Sequence, residues 1–281
     1  MFEGPRPSVV LALVLAFALS GCASTPLSPR APAPGSARYT VESYNVECGK
    51  HRDSSIIEAI GAASADIVCL QETTREYETA IRRRWSARYP YQLYQHNEPN
   101  GGAAGLAMLS RYPLVDRGHH PPPYGWHPAW HVDVETPSGT IQILNVHLRA
   151  KLSGRKNELV ALLTVPRDHW KEIRHFMRWS VPDKPTLVVG DFNEEPSGAA
   201  IDFLAARGYR DALSLFRPHE HTWRHPLLAW ELRQTLDHVL FDRAFVPLNA
   251  HVIHAGRSDH LPVVAELGVA PDARWQPSEI E

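Results

Sequence analysis

The sequence predicts an α+β fold, a four-layer αββα sandwich in which two β-sheets pack face to face with helices on their outer sides. Three observations point there. Strand-like runs outnumber helical ones, several of these runs are apolar throughout, and polar residues gather where the runs end. With 281 residues, 43% hydrophobic and 21% charged, the chain suffices for one large domain with a real core.

Taken in order, the N-terminus carries Arg6-Pro7, an uncharged apolar run over residues 9–20, then Gly21-Cys22-Ala23-Ser24. The run is too short to span a bilayer comfortably and suits the apolar region of a signal segment. Its ending, Leu19-Ser20-Gly21-Cys22, resembles the lipobox of bacterial lipoproteins. That resemblance implies cleavage before Cys22, lipidation of its thiol, and export to the cell envelope, at the outer membrane where there is one. A plain secretory signal is the alternative, because Glu3 offsets Arg6. Residues 22–37, rich in Ala, Pro and Ser, read as an extended tether. The domain follows over residues 38–270, and 271–281 form a polar tail.

Within the domain, strands are expected at 39–46, 66–71, 105–110, 130–135, 140–148, 186–191, 235–242 and 261–267. WHVDVETPSGTIQILNV reads as a hairpin around Pro137-Ser138-Gly139. Asp53 is placed to cap a helix over SSIIEAIGAAS, and Thr73 or Thr74 to start one over REYETAIRRRW. The longest helix, 155–179, is expected to break near Pro166. Cys48 and Cys69 would be able to pair in an oxidising compartment, but their apolar contexts suit buried small hydrophobes.

The polar groups at the strand ends are Asn45 and Glu47, Gln71 and Glu72, His147, Asp191 and Asn193, Asp237 and His238, and Asp259 and His260. Burying one unpaired carboxylate costs several kcal/mol, so a repeated apolar strand followed by an acid suggests convergence on a shared ion. Oxygen-rich ligands with few imidazoles suit Mg²⁺ or Mn²⁺ better than zinc. Singly each residue has an ordinary reading: Asp191 and Asn193 stand where they would cap a helix beginning near Pro196, and Glu72 where it would be a solvated edge residue.

The ordered set Asn45 in SYNV, Glu72 in VCLQE, GLAMLSRYP, His147 in NVHL, Asp191 and Asn193 in VVGDFN, Asp237 in TLDHVLF, and Ser258-Asp259-His260-Leu261-Pro262 resembles the motifs of the endonuclease/exonuclease/phosphatase superfamily, the DNase I-like fold. The resemblance implies a phosphodiesterase or related phosphoric ester hydrolase. It implies Glu72 as the main metal ligand with Asn45 beside it, Asp259 closing the set and Glu47 as an outer carboxylate. It also implies Asp191 as the base that holds water, Asn193 as its orienting partner, His260 held by Asp237 as the phosphate donor, and His147 against the phosphate or leaving oxygen.

The substrate is less defined. Lys+Arg 29 against Asp+Glu 31 gives a net charge of −2 and no general attraction to polyanions. NGGAAGLAMLS carries no carboxylate to pair with His147, which weakens a DNase I-like reading. No hydrophobic hairpin of the kind bacterial sphingomyelinases use to enter membranes is evident. Arg149, Lys151, Arg155 and Lys156 are the basic residues available to an inositol phosphatase. Phospholipid headgroup, nucleic acid and inositol phosphate therefore all stay open, and a non-catalytic envelope scaffold is the competing class. His219, His221 and His225 suggest a loose zinc site or, with Trp223, substrate contacts. GHHPPPYGWHPAW is either a gripping rim or a stiff loop packed on the sandwich, and Arg82-Arg83-Arg84 either a solvated face or a contact for anionic headgroups.

Overall fold

The computed structural model describes residues 25–96, 105–123, 127–150, 158–227 and 230–270, without the side chains of 158–164 and 227. The signal segment, Cys22, Lys151, Arg155, Lys156 and the tail thus lie outside the described residues. The chain runs β1 (Arg38–Asn45), α1 (Ser54–Ala59), β2 (Ile67–Gln71), α2 (Arg75–Trp85), β3 (Tyr91–Gln95), β4 (Leu106–Ser110) and β5 (Leu114–His120). It continues through β6 (Ala129–Thr136), β7 (Gly139–His147), α3 (Glu158–Phe176), β8 (Thr186–Asp191), α4 (Ala199–Ala205), β9 (Arg210–Asp211) and α5 (Ala212–Phe216). It closes with β10 (Trp223–Leu227), β11 (Trp230–Gln234), β12 (Asp237–Phe241), β13 (Phe245–Val252) and β14 (Val263–Val269).

Two six-stranded mixed sheets form, in the orders β13-β14-β1-β2-β4-β3 and β5-β6-β7-β8-β12-β9. Three apolar clusters separate the layers. Val41, Ile67, Met108, Val132, Ile143, Val189, Val239 and Val263 fill the space between the sheets. Tyr44, Val68, Leu70 and Leu109, on the other face of the first sheet, meet Ile56, Ile60, Tyr77, Ile81 and Trp85 of the α1–α2 segment. On the far side, Leu144, Val146, Val188 and Leu240 meet Ile173, Phe176, Ile201 and Leu204 of α3 and α4. Alternation along each strand feeds the two faces, so both sheets are covered twice. The fold is the expected sandwich.

Local signals hold with some differences. Asp53 caps α1 through Ser55 N at 2.9 Å, and Thr74 is the N-cap of α2. α1 stops at Ala59, short of the expected span: beyond it the Gly61, Ala62 and Ser64 amides donate three residues back, to the Glu58, Ala59 and Gly61 carbonyls, so the chain tightens into turns. α3 runs through Pro166 without breaking; Pro166 is exposed, so the carbonyl it cannot satisfy lies on the water side. The hairpin turns through Pro137-Ser138, pairing Thr136 with Gly139. Residues 25–37 do not hang free: Leu27 N donates to the Leu215 carbonyl at 2.8 Å and Arg30 N to that of Leu248 at 2.9 Å. Cys48 and Cys69 are free thiols, Cys69 within the core.

Register brings the polar strand ends to one rim. β1 and β2 are parallel with Asn45 beside Gln71, so Glu72 emerges next to Asn45. β7 and β8 are parallel with His147 beside Asp191, and β12 places Asp237 on the other side of Asp191. Across the interior, Gln71 Nε2 donates to Asn145 Oδ1 at 2.8 Å, and Asn145 Nδ2 reaches the Leu70 and Ala107 carbonyls at 3.2 and 3.3 Å. This buried amide bridge fixes one sheet against the other beneath the rim. Gly190, φ 146°, is what lets β8 approach β7, since a Cβ there would stand 1.9 Å from the Val146 carbonyl oxygen.

Candidate active site

Asp191, 1% exposed, stands at the centre. Its Oδ1 accepts from Asn193 N at 2.8 Å, and its Oδ2 from Asn45 Nδ2 at 3.0 Å. His147 Nε2 and His260 Nε2 face the same Oδ2 from 3.5 and 3.6 Å, beyond direct hydrogen-bond length and spaced to share a water or phosphate oxygen. The helix-cap reading of Asp191 and Asn193 does not hold: Gly198 is the N-cap of α4, and Glu194 Oε1 takes the Ala200 and Ile201 amides.

His260 Nδ1 lies 2.8 Å from Asp237 Oδ2, and Asp237 is fully buried. Burial pulls the His260 imidazole towards neutrality, but the Asp237 and Asp191 carboxylates outweigh it and raise its pKa to about 10. Burial pushes the Asp191 carboxyl up to about 7, with His260 opposing it. Asn193, at φ 51°, is turned so that its Nδ2 donates to the Leu148 carbonyl at 2.9 Å. Asn193 therefore orients the exit of β7 and holds Asp191 by its backbone.

On the other side of Asn45, Nδ2 also donates to Glu72 Oε1 at 3.1 Å, and Glu72 Oε2 accepts from Cys48 N at 3.1 Å. Glu72 itself sits at φ 61°, a left-handed backbone that turns its carboxylate back onto Asn45. Glu47 Oε2 takes Lys50 Nζ at 2.8 Å and the Asp259 amide at 3.0 Å, so Glu47 positions Asp259 from behind. Among the described residues no Lys, Arg or His pairs with Glu72 or Asp259. Carboxylates without a cationic partner suit a hard divalent cation, whereas Asn45 turns its NH₂ to Glu72 and Asp191 while its Oδ1 accepts from the Glu47 amide at 3.0 Å. A second grouping, Asp191, Asp237 and His260, places ligand atoms within 4.8 Å of one another. Its imidazole is already hydrogen-bonded to Asp237 and lies 3.6 Å from Asp191, which suits proton handling better than coordination.

Several supports of the site carry no signature in the sequence. Thr222 Oγ1 accepts from the Leu236 and Asp237 amides at 2.9 and 3.0 Å and so sets the start of β12. Trp223 donates from Nε1 to Asp259 Oδ2 at 3.0 Å. Ser258 Oγ ties the Asn45 carbonyl at 2.8 Å to the His260 amide at 3.1 Å. His127 stacks on His147, ring centroids 3.9 Å apart. Of these, Ser258 lies within the Ser258-Asp259-His260 motif, whereas Thr222, Trp223 and His127 are distant in sequence from the residues they support.

Other expectations change. His219, His221 and His225 form no metal group among the described residues; His225 stacks on Trp223 and His221 faces His254. Of the 118–130 segment, His120, His127 and Trp130 are buried, so the described part packs on the sandwich; Tyr124 to Trp126 lie outside the described residues. Arg82 and Arg84 pair with Glu78 and Glu58 on the α1–α2 face. β10 and β11 form a separate two-stranded ribbon on which Trp230, 64% exposed, and Leu232, 36% exposed, stand among the charged Arg224, Glu231 and Arg233.

Motif order, fold and rim geometry together define a class, the sandwich proteins whose two sheets present acids and imidazoles at one edge. The Endonuclease/Exonuclease/phosphatase family matches residues 43–260, and the chain belongs to that family. In fold it resembles an endonuclease/exonuclease/phosphatase from Beutenbergia cavernae DSM 12333, at 17% identity, TM-score 0.63, covering 83% of this chain and 72% of that one. It also resembles the human Nocturnin catalytic domain with bound sulfate, at 20% identity, TM-score 0.58, with coverage of 83% and 95%. TDP2 from D. rerio, complexed with single-strand DNA product, is similar at 15% identity, TM-score 0.63, with coverage of 82% and 99%. No curated protein sequence matches the chain significantly.

Proposed function

We propose that this protein is a divalent-metal-dependent phosphodiesterase, exported and lipid-anchored through Cys22. The observation that carries the activity is the shared Asp191 Oδ2, faced by His147, His260 and Asn45, together with Glu72 and Asp259, carboxylates that have no cationic partner among the described residues. Glu72 and Asp259, with Asn45 beside Glu72, would hold Mg²⁺ or Mn²⁺, which supplies charge neutralisation on the phosphate oxygens.

The chain's own residues do the rest. Asp191, as carboxylate, accepts a proton from the attacking water and, anchored at both oxygens, aims it. His260, as imidazolium, donates to a non-bridging phosphate oxygen while Asp237 holds its other nitrogen. As the water oxygen bonds to phosphorus and the ester P–O bond breaks, His147, braced by His127, would donate to the departing ester oxygen.

Among phosphate esters, a phospholipid headgroup has the most support. The charge balance is near neutral, and the hairpin bearing exposed Trp230 is rooted beside Asp259 through Trp223, a placement that suits a membrane interface. Nucleic acid and inositol phosphates are the other members of the class.

The test is a rate screen of the purified protein against bis-p-nitrophenyl phosphate, sphingomyelin, plasmid DNA and inositol phosphates with Mg²⁺, Mn²⁺ or excess chelator. Metal-dependent hydrolysis is expected, strongest on the lipid. Absence of turnover on all four would favour the scaffold reading. For the anchor, Cys22→Ser should abolish incorporation of labelled fatty acid; labelling that persists would remove it.

A further inference from the structure

Two segments carry the catalytic groups outward from the second sheet: residues 147–149 beyond β7 and 191–194 beyond β8. Two direct hydrogen bonds tie them, Leu148 N to the Asp191 carbonyl at 2.8 Å and Asn193 Nδ2 to the Leu148 carbonyl at 2.9 Å. A third tie passes through α3. His169, 1% exposed, has Nδ1 2.9 Å from Glu194 Oε2 and Nε2 2.7 Å from the Arg149 carbonyl oxygen.

The Arg149 carbonyl can only accept, and Glu194 accepts as a carboxylate. With both as acceptors, both ring nitrogens carry protons, the state of the imidazolium. Glu194 supplies the compensating charge, and its Oε1 is filled by the Ala200 and Ile201 amides at 2.6 and 3.0 Å. Glu172, buried on the same helix face, accepts the Arg149 amide at 3.2 Å, so α3 grips both backbone groups of Arg149. Gly198 makes room for the arrangement. A Cβ there would stand 2.2 Å from the Glu194 carboxyl carbon, while its φ of −76° suits any residue.

We propose that His169, bridging Glu194 to the Arg149 carbonyl, is a positioning residue that sets the spacing of His147, Asp191 and Asn193. The proposal rests on the phosphodiesterase reading for its kinetic consequence, though not for its geometry. Asn193 is held at φ 51°, and the His147–Asp191 spacing of 3.5 Å spans the two segments being tied. Misplacing either by a fraction of an ångström costs rate more than binding. His169 touches none of the reacting atoms.

The experiment compares His169→Gln, Glu194→Gln and Gly198→Ala in the full chain. Gly198→Ala displaces the carboxylate without altering the histidine. Each variant should keep cooperative thermal unfolding and KM within twofold, while kcat on bis-p-nitrophenyl phosphate falls by about tenfold or more. The His169→Gln/Gly198→Ala double variant should be no slower than its slower parent.

Nitrogen-15 NMR of wild type at pH 7 should show both His169 nitrogens protonated, and the His147 resonances should shift in Gly198→Ala. Folded variants with kcat within twofold of wild type, or with a rate loss matched by a rise in KM, would overturn the proposal. So would a neutral His169 or unmoved His147 resonances, and these readouts decide even if wild type proves inactive, an outcome that sinks only the functional reading.

Discussion

Replacing Asp237 by Asn keeps the shape of the site and removes one charge. The carbonyl of the introduced amide can still accept from His260 Nδ1, and its NH₂ group occupies the position of Asp237 Oδ1, which has no protein partner. What is lost is the field that keeps His260 charged. Raising that imidazole from 6.5 to about 10 corresponds to about 5 kcal/mol at about 1.4 kcal/mol per unit, an upper bound shared with Asp191. Assigning Asp237 about half leaves roughly two pH units. The sign follows from the role: His260 acts protonated, so activity is retained below its raised pKa and lost as pH rises through it. In Asp237→Asn the alkaline limb of kcat on bis-p-nitrophenyl phosphate should move down by about two units, so kcat should fall about tenfold more at pH 9 than at pH 7, where the ring stays mostly charged in both proteins. An alkaline limb that stays in place would refute the donor role of His260.

Further outcomes follow from the same geometry. Glu72→Ala should weaken Mn²⁺ binding in titration calorimetry by at least about tenfold without unfolding the protein; unchanged affinity would remove Glu72 from the ligand set. His238 is fully buried with Nδ1 3.1 Å from Asp211 Oδ2 and Nε2 3.0 Å from the Glu194 carbonyl. Burial opposes its charge, Asp211 outweighs burial, and its pKa rises to about 9. Its contribution, at most about 3 kcal/mol, is full below its unfolded value near 6.5 and is lost as pH climbs through about 9. Chemical denaturation should show that decline, absent in His238→Gln. Glu42 is the opposite case: wholly buried, with both carboxylate oxygens lacking a protein partner, its pKa is driven well up by burial. It destabilises the protein increasingly as pH rises above the unfolded value, so Glu42→Gln should raise Tm at pH 8 more than at pH 4; a lowered Tm at pH 8 would reveal a partner for the acid.

The eight strands legible in the sequence are β1, β2, β4, β6, β7, β8, β12 and β14, which are the eight interior strands of the two sheets. The four strands of those sheets that escape it, β3, β5, β9 and β13, are all edge strands. The reason is physical. An interior strand of this sandwich is buried on both faces and so reads as an apolar run, whereas an edge strand needs polar residues and irregularities that discourage further pairing. β5 carries a bulge near Gly118, β13 another beside Pro247, and β9 has only two residues.

The site divides similarly. Asn45, Glu72, Asp191, Asp237 and His260 could be named because each stands at or beside an end of an interior strand or within a short motif. Thr222, Trp223, His127 and His169 could not, because their roles depend on which distant atom their side chain meets. His169 and Glu194 are 25 residues apart, and nothing in the spacing of either foretells their contact.

The central claim is that Asp191 activates water for attack on a phosphodiester. Its most direct measure is the metal-supported hydrolysis rate of bis-p-nitrophenyl phosphate by Asp191→Ala beside wild type, with folding of both checked by thermal unfolding. The variant should be slower by at least about 100-fold. A folded Asp191→Ala protein that hydrolyses the diester at a rate near wild type would contradict the account.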